Sequence, residues 1–140
     1  MFKIAIIGGG LGGLFAALSI HQYSPSEDIQ TDIYEQASEY KEIGAGLGIG
    51  PNAAALAVKL GLRERLAKIT GTRGGIWLSF RRFDDGSDVH TVRIPGEDST
   101  PTFSLHRAEF LQALIDAVQE RGAATLHTDK QCASLEVNTQ

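Results

Sequence analysis

The sequence predicts an α/β fold: a parallel βαβ core with helices, and an antiparallel hairpin that leaves it. Three observations predict this. An apolar run, Phe2-Lys3-Ile4-Ala5-Ile6-Ile7, passes into Gly8-Gly9-Gly10-Leu11-Gly12-Gly13 and then into an alanine-rich stretch. A second strand pattern, Ile29-Gln30-Thr31-Asp32-Ile33-Tyr34, closes on the acid Glu35. Two alternating apolar–polar segments flank Asp85-Gly86, a pair suited to a hairpin turn.

The opening reads as strand, glycine turn, helix. Ile4 to Ile7 form an apolar run suited to a buried parallel strand. Gly8, Gly10 and Gly13 fit G-x-G-x-x-G, the Rossmann-like dinucleotide fingerprint, and each has a physical task. Gly8 allows a tight turn out of the strand. Gly10 lacks a side chain, so a pyrophosphate can approach the backbone. Gly13 lets the helix pack closely on the strand. The helix spans about Leu11 to Tyr23, and Pro25 stops it. Its N-terminus offers free N–H groups and partial positive charge to phosphates. Glu35 lies 22 residues past Gly13, where a carboxylate accepts hydrogen bonds from a ribose diol. The competing reading of Glu35 is a solvated acid after a strand.

A second glycine cluster follows, Gly44-Ala45-Gly46-Leu47-Gly48-Ile49-Gly50. Its alternating glycines offer backbone to a flat or bulky ligand; the competing reading is an open loop. Pro51 suits the first turn of a helix. Ala53–Leu60 then reads as that helix, with Leu56 and Leu60 on one face and Gly61 as its stop. A short helix over Leu62–Ile69 comes next. The alternation in Ile76–Phe80 and Val89–Ile94 gives the hairpin, and Pro95 to Pro101 a polar loop. Arg107 to Arg121 is an amphipathic helix with the stripe Phe110, Leu111, Leu114, Ile115, Val118 and the stop Gly122. Ala124–His127 reads as a strand, and Cys132–Val137 as a candidate for another.

Composition narrows the function. The chain has 140 residues and a net charge of −4, with its positive charges scattered, so nucleic acid is not an expected partner. A single cysteine, Cys132, provides neither a disulfide nor a thiolate metal cluster, and is expected to be a structural thiol in a reducing compartment. The four histidines are too dispersed to form a metal site, so no metal is expected. The uncharged stretch Ile4–Ile20 contains five glycines, which argues against a signal or membrane segment. A cytoplasmic protein without membrane contact is expected.

Taken together, Ile6-Ile7-Gly8-Gly9-Gly10-Leu11-Gly12-Gly13-Leu14, Tyr34-Glu35, Glu42-Ile43-Gly44-Ala45-Gly46 with Pro51-Asn52-Ala53, and Leu105-His106-Arg107 opening a helix carry a resemblance. In order and spacing the chain resembles the N-terminal portion of the FAD-dependent aromatic-ring monooxygenases, the single-component flavoprotein hydroxylases, on their salicylate hydroxylase-like branch. The resemblance implies that residues 1–140 are the N-terminal part of an FAD-binding domain. Segment 76–94 is then a hairpin excursion toward a mostly missing substrate domain. It implies FAD as cofactor, NAD(P)H as co-substrate, and oxygen and a small aromatic compound as the other reactants. It places the pyrophosphate on Gly8, Gly10, Leu11, Gly12 and Gly13, and the adenosine ribose on Glu35. Gly44, Ala45 and Gly46 fall near the ribityl–isoalloxazine part, with the Arg107 guanidinium turned toward the pyrophosphate and ribityl region. A surface ion pair of Arg107 with Glu109 or Asp32 is the competing reading. The resemblance assigns no catalytic side chain here, because the cofactor carries the chemistry while the protein orients it and excludes water.

Family members are longer, and their later cofactor motifs are missing from this sequence. The chain alone is therefore expected not to hydroxylate a substrate. Two other readings stay open: an NAD-dependent Rossmann dehydrogenase, which shares the opening turn and acid, and a truncated module that binds a nucleotide without turnover. The second glycine cluster, the hairpin and the Arg107 helix favour FAD over NAD.

Overall fold

The computed structural model describes residues 1–24, 28–41, 45–71, 75–93 and 101–137. In chain order the elements are β1 (Phe2–Ile7), α1 (Leu11–Tyr23), β2 (Ile29–Tyr34), β3 (Gly46–Ile49), α2 (Pro51–Lys59), α3 (Arg63–Ile69), β4 (Ile76–Arg81), β5 (Asp88–Arg93), β6 (Phe103–His106), α4 (Arg107–Arg121) and β7 (Thr125–His127). They divide into two compact units, Met1–Ile43 with Leu111–Gln140, and Gly44–Phe110.

The first unit holds a parallel sheet in the order β1-β2-β7. Phe2 to Ile7 pair in register with Ile29 to Tyr34, and Asp32 to Tyr34 pair with Thr125 to His127. The expected βαβ core is therefore present, with β7 as its third strand. β1 departs from the expectation of a buried strand. It lies at the sheet edge, with Ile4 and Ile6 half-buried and Phe2 and Ile7 exposed. With a strand neighbour on one side only among the described residues, its apolar run keeps much of its surface. Burial falls instead on Leu14, Ala17 and Leu18 of α1, Ile33 of β2, and Leu114 and Val118 of α4, all without solvent exposure. The predicted stripe of α4 is buried throughout. Each such leucine or valine contributes about 1.5–3 kcal/mol. Gly122 ends α4 at φ 61°.

The second unit contains two antiparallel pairs, β3 with β6 and β4 with β5. The β4–β5 hairpin matches its prediction, though its connection spans residues 82–87 rather than two residues. Gly86 supplies a left-handed φ of 71° there. Where the sequence left the second glycine cluster as a loop or ligand surface, residues 46–49 form β3. Its partner β6 was not anticipated, because residues 103–106 are too few to show a period. α2 buries Ala54 and Ala57, and Leu56 is exposed, so Leu56 and Leu60 do not share a buried face. Leu60 is buried at the end of the helix, and Gly61 turns the chain at φ 69°.

No strand forms over 132–137, and Cys132 is exposed rather than structural. That segment lacks a neighbour to pair with among the described residues. Pro25, Gly44, Ile94 and most of the polar loop 95–101 lie outside the described residues. Among the described residues no helix is long and apolar enough to cross a membrane.

Candidate functional site

The glycine turn joins β1 to α1. Gly8 sits at φ 102°, a conformation that side chains disfavour. Its N–H donates to the Tyr34 carbonyl at 2.8 Å, which fastens the turn to the end of β2. A Cβ on Gly13 would lie 2.0 Å from the Gly8 carbonyl oxygen and 3.2 Å from Ile6 Cγ2, so helix and strand approach more closely than any side chain allows. Around Gly10 the situation is the reverse: a Cβ there meets nothing within 4 Å, and Gly12 is equally open. Gly10 is the N-cap of α1, in extended conformation, with no side-chain cap and no acid in the first turn. The first N–H groups and the positive end of the helix dipole therefore face an open approach.

Glu35 is brought to this turn. Its Oε2 accepts the Gly9 N–H at 2.7 Å, and its Oε1 accepts the Ala37 N–H at 2.9 Å. The Ala37 and Gly9 amides hold its carboxyl below the ordinary value of 4.5, so it stays ionised at neutral pH. The main chain is fixed on both sides: Glu35 N–H donates to the His127 carbonyl at 2.8 Å, and Lys130 N–H to the Glu35 carbonyl at 2.9 Å. A carboxylate has about four acceptor positions, so two amide bonds leave capacity for ligand hydroxyls.

Two residues at this turn escaped the sequence reading. Gly9, not assigned a role, is buried between Glu35 and Tyr40: a Cβ on it would lie 2.5 Å from Tyr40 Cε1, 2.7 Å from the Tyr40 hydroxyl and 3.0 Å from Glu35 Cβ. The Tyr40 hydroxyl is buried and lacks a hydrogen-bond partner. Burial, and then the Glu35 charge, push its pKa above 10.0. Gly9, Gly10, Glu35, Tyr40 and Leu111 are among the residues lining a small cleft of about 120 Å³. The third consecutive glycine was a signal for Gly9; nothing local marked Tyr40.

The remaining predicted residues belong to the second unit. The Arg107 N–H donates to the Ala45 carbonyl at 3.0 Å, and Gly46 pairs with His106, so Ala45, Gly46 and Arg107 meet where β6 passes directly into α4. Gly44 lies outside the described residues. The Asp32 suggested as a partner for Arg107 bonds instead to His127 Nε2 at 2.8 Å and to Gln30 at 3.0 Å. Next to β3 a cleft of about 630 Å³ is lined by Gly46, Gly48, Trp77, Leu105, His106 and Glu109, among others. The Trp77 ring closes on Gly48, where a Cβ would be 3.1 Å from it. No cluster of metal-ligating side chains occurs among the described residues.

Comparison with known proteins gives this geometry a family context. No family model matches the chain. It is 34% identical over 122 residues to a salicylate hydroxylase of Pseudomonas putida, covering 84% of this chain and 27% of that protein. It is 33% identical over 139 residues to a 6-methylsalicylate 1-monooxygenase of Aspergillus terreus, covering 91% of this chain and 30% of that one. A crystal structure of 2-methyl-3-hydroxypyridine-5-carboxylic acid oxygenase superposes with a TM-score of 0.72 at 19% identity, covering 92% of this chain and 32% of that one, and so shares the fold. The chain thus spans less than a third of the length of these curated relatives. Over most of its own length, the chain is a relative of the FAD-dependent aromatic monooxygenases.

Proposed function

We propose that this chain is the FAD-binding portion of an FAD- and NAD(P)H-dependent monooxygenase that hydroxylates a small aromatic compound. The observation that carries this is the union of Glu35 with the glycine turn, through the 2.7 Å bond from Gly9, beside an uncapped helix N-terminus. A dinucleotide needs those parts together: open backbone at Gly10, first-turn N–H groups of Leu11, Gly12 and Gly13 for phosphate, and an ionised acceptor for a ribose diol. The acid also disfavours a cofactor bearing a 2′-phosphate at this position.

In this reading Gly8, Gly10, Leu11, Gly12 and Gly13 hold the pyrophosphate and Glu35 the adenosine ribose. Gly44, Ala45, Gly46 and Arg107 hold the ribityl and flavin end. FAD, when bound, supplies the redox and oxygen-transfer chemistry. The residues of the chain bind and orient it, and the apolar side chains lining the cleft at Trp77 exclude water. That aromatic-walled cleft suits a planar ring, and the 76–94 hairpin that carries Trp77 reaches toward a substrate domain. A cytoplasmic location fits this chemistry.

Coverage of less than a third of the relatives supports a second reading for the chain alone, a nucleotide-binding module without turnover. Calorimetric titration with FAD and with NAD tests the cofactor. Tighter binding of FAD is expected, and tighter binding of NAD would turn the assignment to a dehydrogenase. Supplied with FAD, NAD(P)H and phenolic acids, the chain alone is expected to consume oxygen slowly at most. Stoichiometric hydroxylated product would refute the module reading.

A further inference from the structure

The β3–β6 pair has two unlike faces. Gly46 is paired with His106 and Gly48 with Ser104, so these four residues share one face. Ile49, Phe103 and Leu105 alternate with them and are buried on the other. Two glycines at alternate positions therefore strip the β3 half of the first face to bare backbone. A Cβ on Gly46 would meet nothing within 4 Å, whereas the Trp77 ring already lies against Gly48. The result is a flat floor at Gly46, with an aromatic wall toward Gly48 and His106 alongside.

The cleft above this floor measures about 630 Å³, and small-molecule sites measure about 300–1,000 Å³. Ile69, Trp77 and Leu78 give it apolar walls. Its charged and ionisable side chains gather where β6 passes into α4: His106 ends β6, Glu109 sits in the first turn of α4, and both are exposed. Arg107, between them in sequence, does not line the cleft.

We infer that this cleft seats the aromatic compound itself, and that His106 and Glu109 set its class: a ring whose edge toward β6 carries hydroxyl or amino groups and no carboxylate. The bare backbone at Gly46 accepts the flat face of the ring, and an offset or edge contact with Trp77 fixes its position. A carboxylate is acceptor-only, and a neutral imidazole has one donor and one acceptor. An edge bearing O–H or N–H groups therefore finds acceptors on both residues. A carboxylate on that edge finds one donor and stands against the Glu109 charge. Glu109 also offsets the positive end of the α4 dipole, which would otherwise draw an anion. The inference deepens the monooxygenase reading and rests on it for calling the compound a substrate, seated beside the Gly44–Gly46 end given to the flavin.

Trp77 is the chain's single tryptophan, so its emission reports on the cleft directly. The test titrates the chain with catechol and with benzoate, using free tryptophanamide as the control for quenching in solution. Catechol is expected to change the Trp77 emission saturably, and benzoate to bind at least about fivefold more weakly. Glu109→Gln is expected to narrow that gap at least about threefold. Gly46→Val, which fills the floor, is expected to abolish catechol binding, with the urea midpoint showing that the variant folds. Absence of saturable catechol binding, equal affinities for catechol and benzoate, an unchanged gap in Glu109→Gln, or catechol binding retained by folded Gly46→Val would each overturn the proposal. Displacement of catechol by FAD would give the cleft to the flavin and overturn it too. FAD titrated alone separates the failures. FAD binding without catechol binding overturns this inference and leaves the cofactor reading standing; catechol binding without FAD binding supports the cleft and overturns the cofactor reading.

Discussion

The two glycine-rich segments have similar composition and opposite structures. Gly8 to Gly13 make a turn that opens a helix, while Gly46 and Gly48 lie in an antiparallel strand. In the first segment Gly8, Gly9 and Gly13 are demanded by conformation or close packing, while Gly10 and Gly12 face open space. Gly8 adopts a positive φ, Gly13 has a carbonyl oxygen where its side chain would go, and Gly9 is enclosed by Tyr40 and Glu35. In the second, Gly46 has nothing within 4 Å and Gly48 meets only the edge of the Trp77 ring. Glycine spacing alone is therefore a poor guide. What separates the two is how closely other atoms, backbone at Gly13 and side chains at Gly9, approach the position of the missing Cβ, and that depends on the elements packed around the segment.

The largest effect is expected at Gly13. Gly13→Ala drives a Cβ into the Gly8 carbonyl, and relief requires prising α1 from β1. A loss of about 3 kcal/mol or more is expected, read from the urea midpoint. An unchanged midpoint would show that the helix and strand can separate freely. Gly10→Val sharpens the contrast, because its side chain enters open space. Folding stability should change little while FAD affinity falls at least about 100-fold, or ~2.7 kcal/mol. Calorimetry and urea unfolding of the same variant separate the two effects; retained binding would remove Gly10 from the site.

Glu35 gives a smaller, pH-dependent effect. Its carboxyl is held below 4.5 by the Ala37 and Gly9 amides, so its contribution is complete above that value and is lost as pH falls through the lowered folded value. Glu35→Gln should cost about 1 kcal/mol near neutral pH and progressively less in acid. Unfolding curves at pH 7 and at steps below 4.5 check this, and a gap between the proteins that widened in acid would contradict the sign. The smallest effect belongs to the second segment. Gly48→Ala asks the Trp77 ring to yield by a few tenths of an ångström. A change below about 1 kcal/mol is expected, together with a shift in the emission of Trp77, the chain's single tryptophan. A collapse in stability would show that β3 is as rigidly enclosed as the first turn.

Local pattern determined a good deal of this protein. The strand–turn–helix opening, the acid after β2, the stripe of α4 and the β4–β5 hairpin were all legible, because each is written in a period or a turn pair spanning a few residues. Within the candidate site, the same logic placed Gly8, Gly10, Gly13 and Glu35. The tertiary structure decided the rest. Only pairing between distant segments put β2 in the centre of its sheet and left β1 at the edge with Phe2 and Ile7 exposed. Only pairing with β6 made a strand of residues 46–49. Only packing placed Tyr40 on Gly9 and stranded its hydroxyl, and removed Leu56 from the buried face of α2. Periodicity reports the face that a segment can bury; which distant partner covers that face, and which polar group is left without one, is settled by contacts that no local window of sequence contains.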